Sequence, residues 1–265
     1  MKIIPSIALA AAALSTASLA LAADVPGRRA APAPAPVYTP PPPPIFTWTG
    51  FYVGLNAGYG FSSKNKASYS GDPGYLALGA NVPRSYSLKR NGFVGGAQVG
   101  YNYQSGAFVG GVEADINFET GKKTSTVVAP QATGSARSQL GAFGTLRARG
   151  GFLVTDRWLA YATGGVIVGQ TKLSNTITGT APPLAGAVWS GSTDKTKAGY
   201  VVGVGTEYAF TNNITARLEY LYYDLGKTSV RAAPANAAAT ALGVAATLRE
   251  SNAGSIVRTG LNFKF

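Results

Sequence analysis

The last seven residues, TGLNFKF (259–265), decide the fold of this chain. Every second residue is apolar, from Leu261 through Phe263 to the terminal Phe265, which is the period of a β-strand with one apolar face. Chain ends fray unless another element holds them. We therefore expect Phe265 to be paired within a sheet and half buried, and the rest of the chain to supply its partner strand.

The same two-residue period recurs through the chain from residue 46 onward. It predicts eight strands, each near or above the 9–11 residues that a tilted strand needs to cross a bilayer. They cover residues 47–59, 92–103, 107–117, 140–152, 158–168, 198–210, 214–224 and 255–265.

The connections between these strands alternate between short and long. Residues 104–106, 153–157 and 211–213 are short turns, whereas the other four connections run for about 20 to 30 residues rich in Gly, Ser, Thr, Asn and Lys. A soluble β-sandwich, the alternative, has no reason to keep every second connection short, but outer-membrane barrels do. The pattern predicts an all-β fold, a transmembrane up-and-down antiparallel barrel of eight strands with four long extracellular loops. Strand eight would close the ring on strand one, with both termini periplasmic.

Charged side chains of the predicted strands fall on the face opposite the apolar row, as expected where one face meets lipid and the other a polar lumen. The strand at 158–168 is apolar on both faces and cannot be oriented. Two interpretations stay open, a polar plug that fills a narrow barrel and a charged eyelet that selects solutes. The predicted lumen charge network comprises Glu113, Asp115, Arg147, Arg149, Glu207, Arg217, Glu219, Arg258 and Lys264.

Outward aromatic residues collect at two heights when the strands are threaded up and down, as in the aromatic girdles of barrels. Those predicted near the short turns are Phe51, Tyr101, Tyr103, Phe108, Phe152, Trp158, Tyr208, Phe210, Phe263 and Phe265. Those predicted at the opposite end are Tyr59, Phe93, Phe118, Tyr200, Tyr220 and Tyr222.

The first 45 residues differ in composition from the rest. Lys2 precedes an apolar run that closes on Ala20, Leu21 and Ala22, which is typical of a signal peptide over residues 1–22; an uncleaved membrane helix is the alternative. Residues 23–45 are proline-rich and predict a semi-rigid periplasmic linker. A ligand for a proline-recognising module is the other interpretation of this segment. The barrel domain then covers residues 46–265.

Composition excludes several kinds of chemistry. The chain has no His and no Cys, so Ser-His acyl transfer and His/Cys metal sites are excluded, and we expect neither an enzyme nor a cofactor. The net charge is +12, but export argues against nucleic acid as a partner. The basic residues of the long connections are Lys64, Lys66, Arg84, Lys89, Arg90, Lys122, Lys123, Arg137, Lys172, Lys195, Lys197, Lys227, Arg231 and Arg249. The acids there are Asp72, Glu119, Asp194 and Glu250.

Several segments resemble a known family. FTWTGFYVGLNAGYG (46–60), GFVGGAQVGYNYQSGAFVGGVEADI (92–116), GYVVGVGTEYAF (199–210), ARLEYLYYDLG (216–226) and VRTGLNFKF (257–265) are similar to the outer-membrane immunogenic proteins of alphaproteobacteria, also called the porin family with an OmpA-like barrel. The resemblance implies an eight-stranded barrel in the Gram-negative outer membrane. It also implies that the outer-membrane assembly machinery recognises the terminal Phe265.

These observations lead to three functional hypotheses. The first is a structural surface protein that supports envelope integrity and contacts membrane lipid and lipopolysaccharide through basic, mobile loops. The second is a narrow porin with Glu113, Arg147, Arg217 and Glu219 at its constriction. The third is an adhesin or ligand-binding surface antigen. Contact of the proline-rich linker with peptidoglycan or another periplasmic partner stays open.

Overall fold

The computed structural model of the chain describes residues 46–62, 66–70 and 73–265. The predicted signal peptide and linker lie outside these residues and stay predictions. The described residues form eleven strands in one antiparallel sheet, two short α-helices and a 3₁₀ turn at Gly79–Asn81. Neither helix is long and apolar enough to span a membrane.

The strands differ widely in length, from three residues to 24. In chain order the strands and α-helices are β1 Gly50–Ser62, β2 Lys66–Tyr69, α1 Pro73–Ala77, β3 Ser85–Ser87, β4 Asn91–Ser105, β5 Phe108–Glu119, β6 Lys122–Val128, β7 Ala132–Thr155, β8 Trp158–Gly179, β9 Val188–Ala209, β10 Ile214–Pro234, α2 Ala237–Leu242 and β11 Ala246–Lys264.

The eight predicted strands overlap the eight longest observed ones, which pair in the order β1-β4-β5-β7-β8-β9-β10-β11. β1 also pairs with β11, from Tyr52 opposite Lys264 to Ser62 opposite Gly254. The three further strands, β2, β3 and β6, are short and lie in segments that the sequence assigned to loops. The terminal Phe265 donates its backbone N–H to the carbonyl of Phe51 at 3.0 Å.

One face of the sheet is buried and the other carries exposed apolar side chains. In β8, Leu159, Tyr161 and Ile167 are buried whereas Val166 and Val168 are exposed, which orients the strand that the sequence left open. Phe265 is 69 % exposed, so the expectation that it is half buried was wrong. Its side chain lies on the outward face, in line with the exposed Leu261 and Phe263 of β11.

The long connections, which the sequence assigned to loops, carry strands and helices over most of their described length. β7 to β11 continue well past the predicted strand ends and, with β2, β3, β6, α1 and α2, form a structure that we call the head. Its core includes buried Tyr69, Tyr86, Leu173, Trp189 and Leu248. The alternation of buried and exposed residues continues through these segments, so their strands can share a core.

Two tyrosines of the buried face lie over glycines. A Cβ at Gly100 would clash with the ring of Tyr52, and one at Gly205 would clash with the ring of Tyr161. The glycines therefore provide the space for two large side chains inside the sheet.

Candidate functional site

Strand register brings acids and arginines of the buried face directly opposite one another. Glu113 on β5 faces Arg147 on β7, and Glu219 on β10 faces Arg258 on β11. Opposite charges on neighbouring strands stabilise a sheet. Because each strand alternates its faces, the inward charges of separate strands converge on the enclosed side.

Arg147 lies at the centre of this network. Its guanidinium contacts Asp115 and Glu219 at 2.9 Å each and also bonds to Glu113. Arg258 contacts the same two carboxylates, Asp115 at 3.0 Å and Glu219 at 2.7 Å. Two arginines therefore bridge strands that are not neighbours in the sheet.

A second group of contacts lies beside the first. Arg149 contacts Glu207 at 2.6 Å and stacks 4.0 Å from the centroid of the Tyr161 ring. Arg217 bonds to Glu113, which also accepts a hydrogen bond from the hydroxyl of Tyr52 at 2.7 Å. The two groups are thus joined through Glu113.

Eight of the nine predicted network residues meet in this way, four acids with four arginines. Lys264 does not join them: its ammonium donates to the carbonyl of Thr49 at 3.3 Å and lies 5.6 Å from the Phe46 ring. Lys264 is the last residue of β11, where the segment just before β1 packs across the end of the sheet and contacts this side chain.

Neutral polar side chains that the sequence did not single out complete the network. Thr215 and Asn262 donate to Glu207 at 2.5 and 2.8 Å, and Gln98 donates to Asn262 at 2.8 Å. Their inward position in the strand pattern was the available signal. Such bonds matter because a buried charge is costly unless its remaining polar atoms are also satisfied.

Apolar layers enclose the charge network on both sides along the strands. Toward the head, the layer includes Leu140, Phe143, Ile167, Leu221 and Ile256. Ile256 lies two residues beyond Arg258, and Leu221 two residues beyond Glu219, both toward the head.

Toward the short turns, the second layer contains Trp48, Val109 and Leu159. Trp48 is 1 % exposed and donates its indole N–H to the carbonyl of Asp156 at 3.1 Å. The ring of Phe46 packs against it, with centroids 5.2 Å apart. The segment before β1 therefore folds under the sheet and covers its turn end.

A smaller charged group lies on the head side of the apolar layers. Arg90, Glu119 and Glu250 were predicted as exposed loop residues, but all three are buried. Arg90 lies 3.9 Å from Glu250, and burial raises the pKa of the Glu250 carboxyl. The prediction was wrong because the packing of the head, which local sequence does not reveal, encloses them.

All the predicted girdle residues project from the outward face. At the end of the sheet near the short turns, the rings of Phe51 and Tyr101 pack with their centroids 4.8 Å apart. At the end near the head, the rings of Tyr59 and Phe93 pack with their centroids 5.5 Å apart. The outward residues are Phe51, Tyr59, Phe93, Tyr101, Tyr103, Phe108, Phe118, Phe152, Trp158, Tyr200, Tyr208, Phe210, Tyr220, Tyr222, Phe263 and Phe265.

The outer surface of the head is basic near the sheet and has few acids. Lys64 and Asp72 fall outside the described residues. Asp194 is exposed and pairs with Lys172 at 2.8 Å. The other described bases of the long connections, Arg90 apart, are exposed or half-buried. In the part of the chain that the structure describes, no three His, Cys, Asp or Glu side chains are grouped to hold a metal.

The sheet encloses a charge network and carries apolar side chains on its outward face. Comparison with known proteins indicates the same kind of protein. Residues 6–249 match the family described as outer membrane protein beta-barrel domain. The chain belongs to this family. A curated relative, the 31 kDa outer-membrane immunogenic protein of Brucella melitensis biotype 1, is 37% identical over 270 residues, covering 98% of this chain and 99% of the relative.

Other similarities are more distant. The 22 kDa outer membrane protein of Rhizobium leguminosarum bv. viciae is 31% identical over 178 residues, covering 67% of this chain and 64% of the relative. The outer membrane protein OprG from Pseudomonas aeruginosa is similar in structure with a TM-score of 0.44 and 13% identity, over 82% of this chain and 96% of that one. The family and its relatives indicate a Gram-negative outer-membrane β-barrel protein.

Proposed function

We propose that the eight long strands form a closed transmembrane barrel, with β2, β3 and β6 as additions outside the ring. The register supports closure: followed from strand to strand, partners return to β5 ten residues from the starting point, a stagger of the kind that closing a sheet of tilted strands requires. The successive partners are Val109, Gly151, Tyr161, Gly205, Glu219, Arg258, Gly58, Val94 and Glu119.

In the same proposal, the short turns and both termini face the periplasm and the head projects outward. Barrels of this class have short periplasmic turns and longer extracellular segments. The two bands of outward rings then lie at the two membrane interfaces, where aromatic side chains are favoured. The terminal Phe265, exposed on the outward face, is the proposed recognition element for the assembly machinery.

We infer that the barrel is structural and does not conduct. One observation carries this: the network around Arg147 lies between two apolar layers. An ion that crossed the lumen would have to leave its hydration shell in both layers, and apolar constrictions exclude ions in this way. The bonds among four arginines and four carboxylates also fill a lumen that eight strands leave only wide enough for side chains.

The proposed role is to support envelope integrity, with the basic surface of the head in contact with lipopolysaccharide. The excess of exposed Lys and Arg over exposed acids supports this contact, since cations near a membrane surface are attracted to anionic lipid. We also propose that the proline-rich linker contacts peptidoglycan; its residues lie outside the part of the chain that the structure describes.

Single-channel recording in a planar bilayer tests the closed lumen. The refolded protein, with its β circular dichroism intact, is expected to give no discrete current steps, and Glu113→Gln is expected to be equally silent because the apolar layers remain. Discrete current steps in the wild-type protein whose size changes in Glu113→Gln would overturn the proposal of a non-conducting structural barrel and favour the narrow porin. In cells, deletion is expected to increase detergent sensitivity, and a normal envelope in the deletion strain would contradict the proposed role.

An adhesin is the second candidate, favoured by the tip of the head. Residues 127–131, 180–187 and 234–245 contain no charged side chain. Backbone bonds join the tips, with the N–H of Thr180 donating to Gln131 at 2.8 Å and that of Gln131 donating to Asn81 at 3.0 Å. An uncharged tip whose segments are hydrogen-bonded to one another suits direct protein contact. Deleting it would then abolish adhesion and leave the envelope phenotype unchanged.

A further inference from the structure

A compact group of four cations lies on the outward face of the head, across β10, β11 and β2. Arg249 on β11 is opposite Ser229 on β10 and opposite Ser68 on β2. Lys227 and Arg231 lie two residues either side of Ser229, and Lys66 lies two residues before Ser68. Arg249 therefore lies at the centre, the other three cations are its diagonal neighbours on the same face, and we call the four residues the Arg249 cluster.

The strand alternation fixes this face. Glu250, Leu248, Ala67, Thr228 and Val230 are buried, and they alternate with the cluster residues along the three strands. The four cations are all exposed.

The cluster contains no acid. Glu250 points inward toward Arg90, and Asp224 accepts the backbone N–H of Gly226 at 2.7 Å at the bulge before Lys227. Among residues 46–62, 66–70 and 73–265, none of the four cations forms a salt bridge.

Such a grouping is unfavourable without a counter-charge. Diagonal neighbours across strands lie about 7–8 Å apart, within reach of long side chains, and like charges placed together destabilise a sheet. The buried arginines of the enclosed network, by contrast, each have a carboxylate partner, as Arg147 does. Serine hydroxyls at 68, 229 and 251 lie between the cations and add hydrogen-bond donors of the kind that phosphate oxygens accept.

The height of the cluster indicates the source of the anion. Arg249 lies eight residues beyond Val257, an exposed apolar residue of β11, which is about 26 Å along the strand. With strands tilted by about 45°, this is roughly 18 Å above the apolar band. A headgroup layer extends only about 5–8 Å beyond the hydrocarbon, so the cluster lies at the level of the sugars of an outer-leaflet glycolipid.

We propose that the Arg249 cluster is a binding site for phosphate groups on the saccharide part of lipopolysaccharide in the same membrane. This rests on the proposed contact of the head with lipopolysaccharide and assigns it to one site. Arg249 would bind the phosphate between its guanidinium and the flanking Lys227, Arg231 and Lys66, since arginine presents a planar fork to phosphate oxygens.

Titration of the detergent-solubilised full chain with purified lipopolysaccharide tests the site. The triple variant Lys227→Gln/Arg231→Gln/Arg249→Gln is expected to bind roughly tenfold more weakly than wild type, since it removes three of the four cations that would bond directly to phosphate oxygens. Chemically dephosphorylated lipopolysaccharide is expected to bind wild type as weakly as intact lipopolysaccharide binds the triple variant.

The matched control removes the same charge from another wall of the head, as Lys122→Gln/Arg137→Gln/Lys172→Gln, and is expected to change affinity less than threefold. Equal loss in both triple variants would overturn the site, because charge alone would then explain binding. Unchanged binding after dephosphorylation would overturn it as well. Displacement of lipopolysaccharide by a soluble sulfated polysaccharide that binds more tightly would reject the membrane source.

The failure of the site and of the proposed contact are distinguishable. Wild-type protein that binds no lipopolysaccharide would contradict the contact itself. Wild-type binding that the triple variant retains in full would contradict only the Arg249 cluster. Unchanged β circular dichroism in each variant establishes that the comparison is between folded proteins.

Discussion

Two groups of basic residues in this protein have opposite surroundings. In the enclosed network, Arg147 contacts three carboxylates and is almost completely buried. In the Arg249 cluster, four exposed cations share one face without an acid among them. The partners of these residues therefore distinguish the two groups: the buried arginines are matched by carboxylates, whereas the exposed cations of the cluster have no acid among them.

The comparison also separates stability from binding. A buried ion pair adds little over an apolar core of similar shape, but removing one partner leaves a charge without compensation in a poorly polarisable interior. Replacing an exposed cation by a neutral residue leaves no buried charge without a partner. Substitutions should therefore damage folding in the first group and ligand affinity in the second.

The largest expected effect is for Arg147→Met. It leaves Glu113, Asp115 and Glu219 without their shared cation, and we expect the free energy of unfolding to fall by about 3–5 kcal/mol. Urea unfolding in a fixed detergent, followed by the mobility shift of the folded barrel on unheated gels, measures this change.

Arg249→Met is the matched control for that substitution, because it removes the same side chain from the outer cluster. It is expected to alter the free energy of unfolding by no more than about 0.5 kcal/mol. Equal effects of the two substitutions would show that the interior charges are solvated and that the contrast between the regions does not hold.

A double-mutant cycle on Arg149 and Glu207 sharpens the comparison at the level of one pair. Their contact is 2.6 Å and both side chains are buried, so each single change to an apolar residue leaves a buried charge. We expect Arg149→Met/Glu207→Leu to cost about 2 kcal/mol less than the sum of the single changes.

The surface pair Lys172 and Asp194 provides the control cycle. Their contact is similar at 2.8 Å, but both side chains are 55 % exposed, and exposed pairs couple by only about 0–1 kcal/mol. A coupling energy for this pair that matched the buried one would mean that burial is not what distinguishes the two regions.

Strand alternation alone predicted most of the network because it depends on local periodicity. Glu113 and Arg147 lie on the polar face of clearly amphipathic strands, so their inward direction could be read without knowing the pairing. Lys264 has the same alternation, yet its surroundings depend on Phe46 in the segment before β1, which does not belong to any strand. Sequence spacing contains no information about such a contact.

The head was harder to predict because its apolar signal is diluted. Leu173 and Ile177 are buried on the same face of β8, but Asn175 between them is buried too and gives a polar appearance to the row. Its amide donates to Tyr69 at 2.7 Å, across a sequence separation that no local pattern covers. Arg90 and Glu250 were placed on the surface for the same reason, since only packing between distant segments buries them.

The smallest expected effect concerns that tyrosine contact and asks whether the head depends on neutral hydrogen bonds as the interior depends on charges. Tyr69 is buried, and its hydroxyl lies 3.0 Å from that of Tyr86. We expect Tyr69→Phe to destabilise the head by about 1 kcal/mol near neutral pH, since it removes hydrogen bonds to two buried groups. The fluorescence of Trp189, in the same core, reports unfolding of the head if Trp48 and Trp158 are replaced by Phe in both proteins.

The pH dependence of this effect has a definite sign. Burial raises the pKa of Tyr69, so above about pH 10, the ordinary tyrosine value, the unfolded chain loses a proton that the folded head retains. The stability of the head should then fall as pH rises, more steeply in wild type than in Tyr69→Phe, until the two proteins converge. Parallel curves for wild type and Tyr69→Phe up to pH 12 would show that the Tyr69 hydroxyl reaches solvent, and that the core of the head is looser than the enclosed charge network.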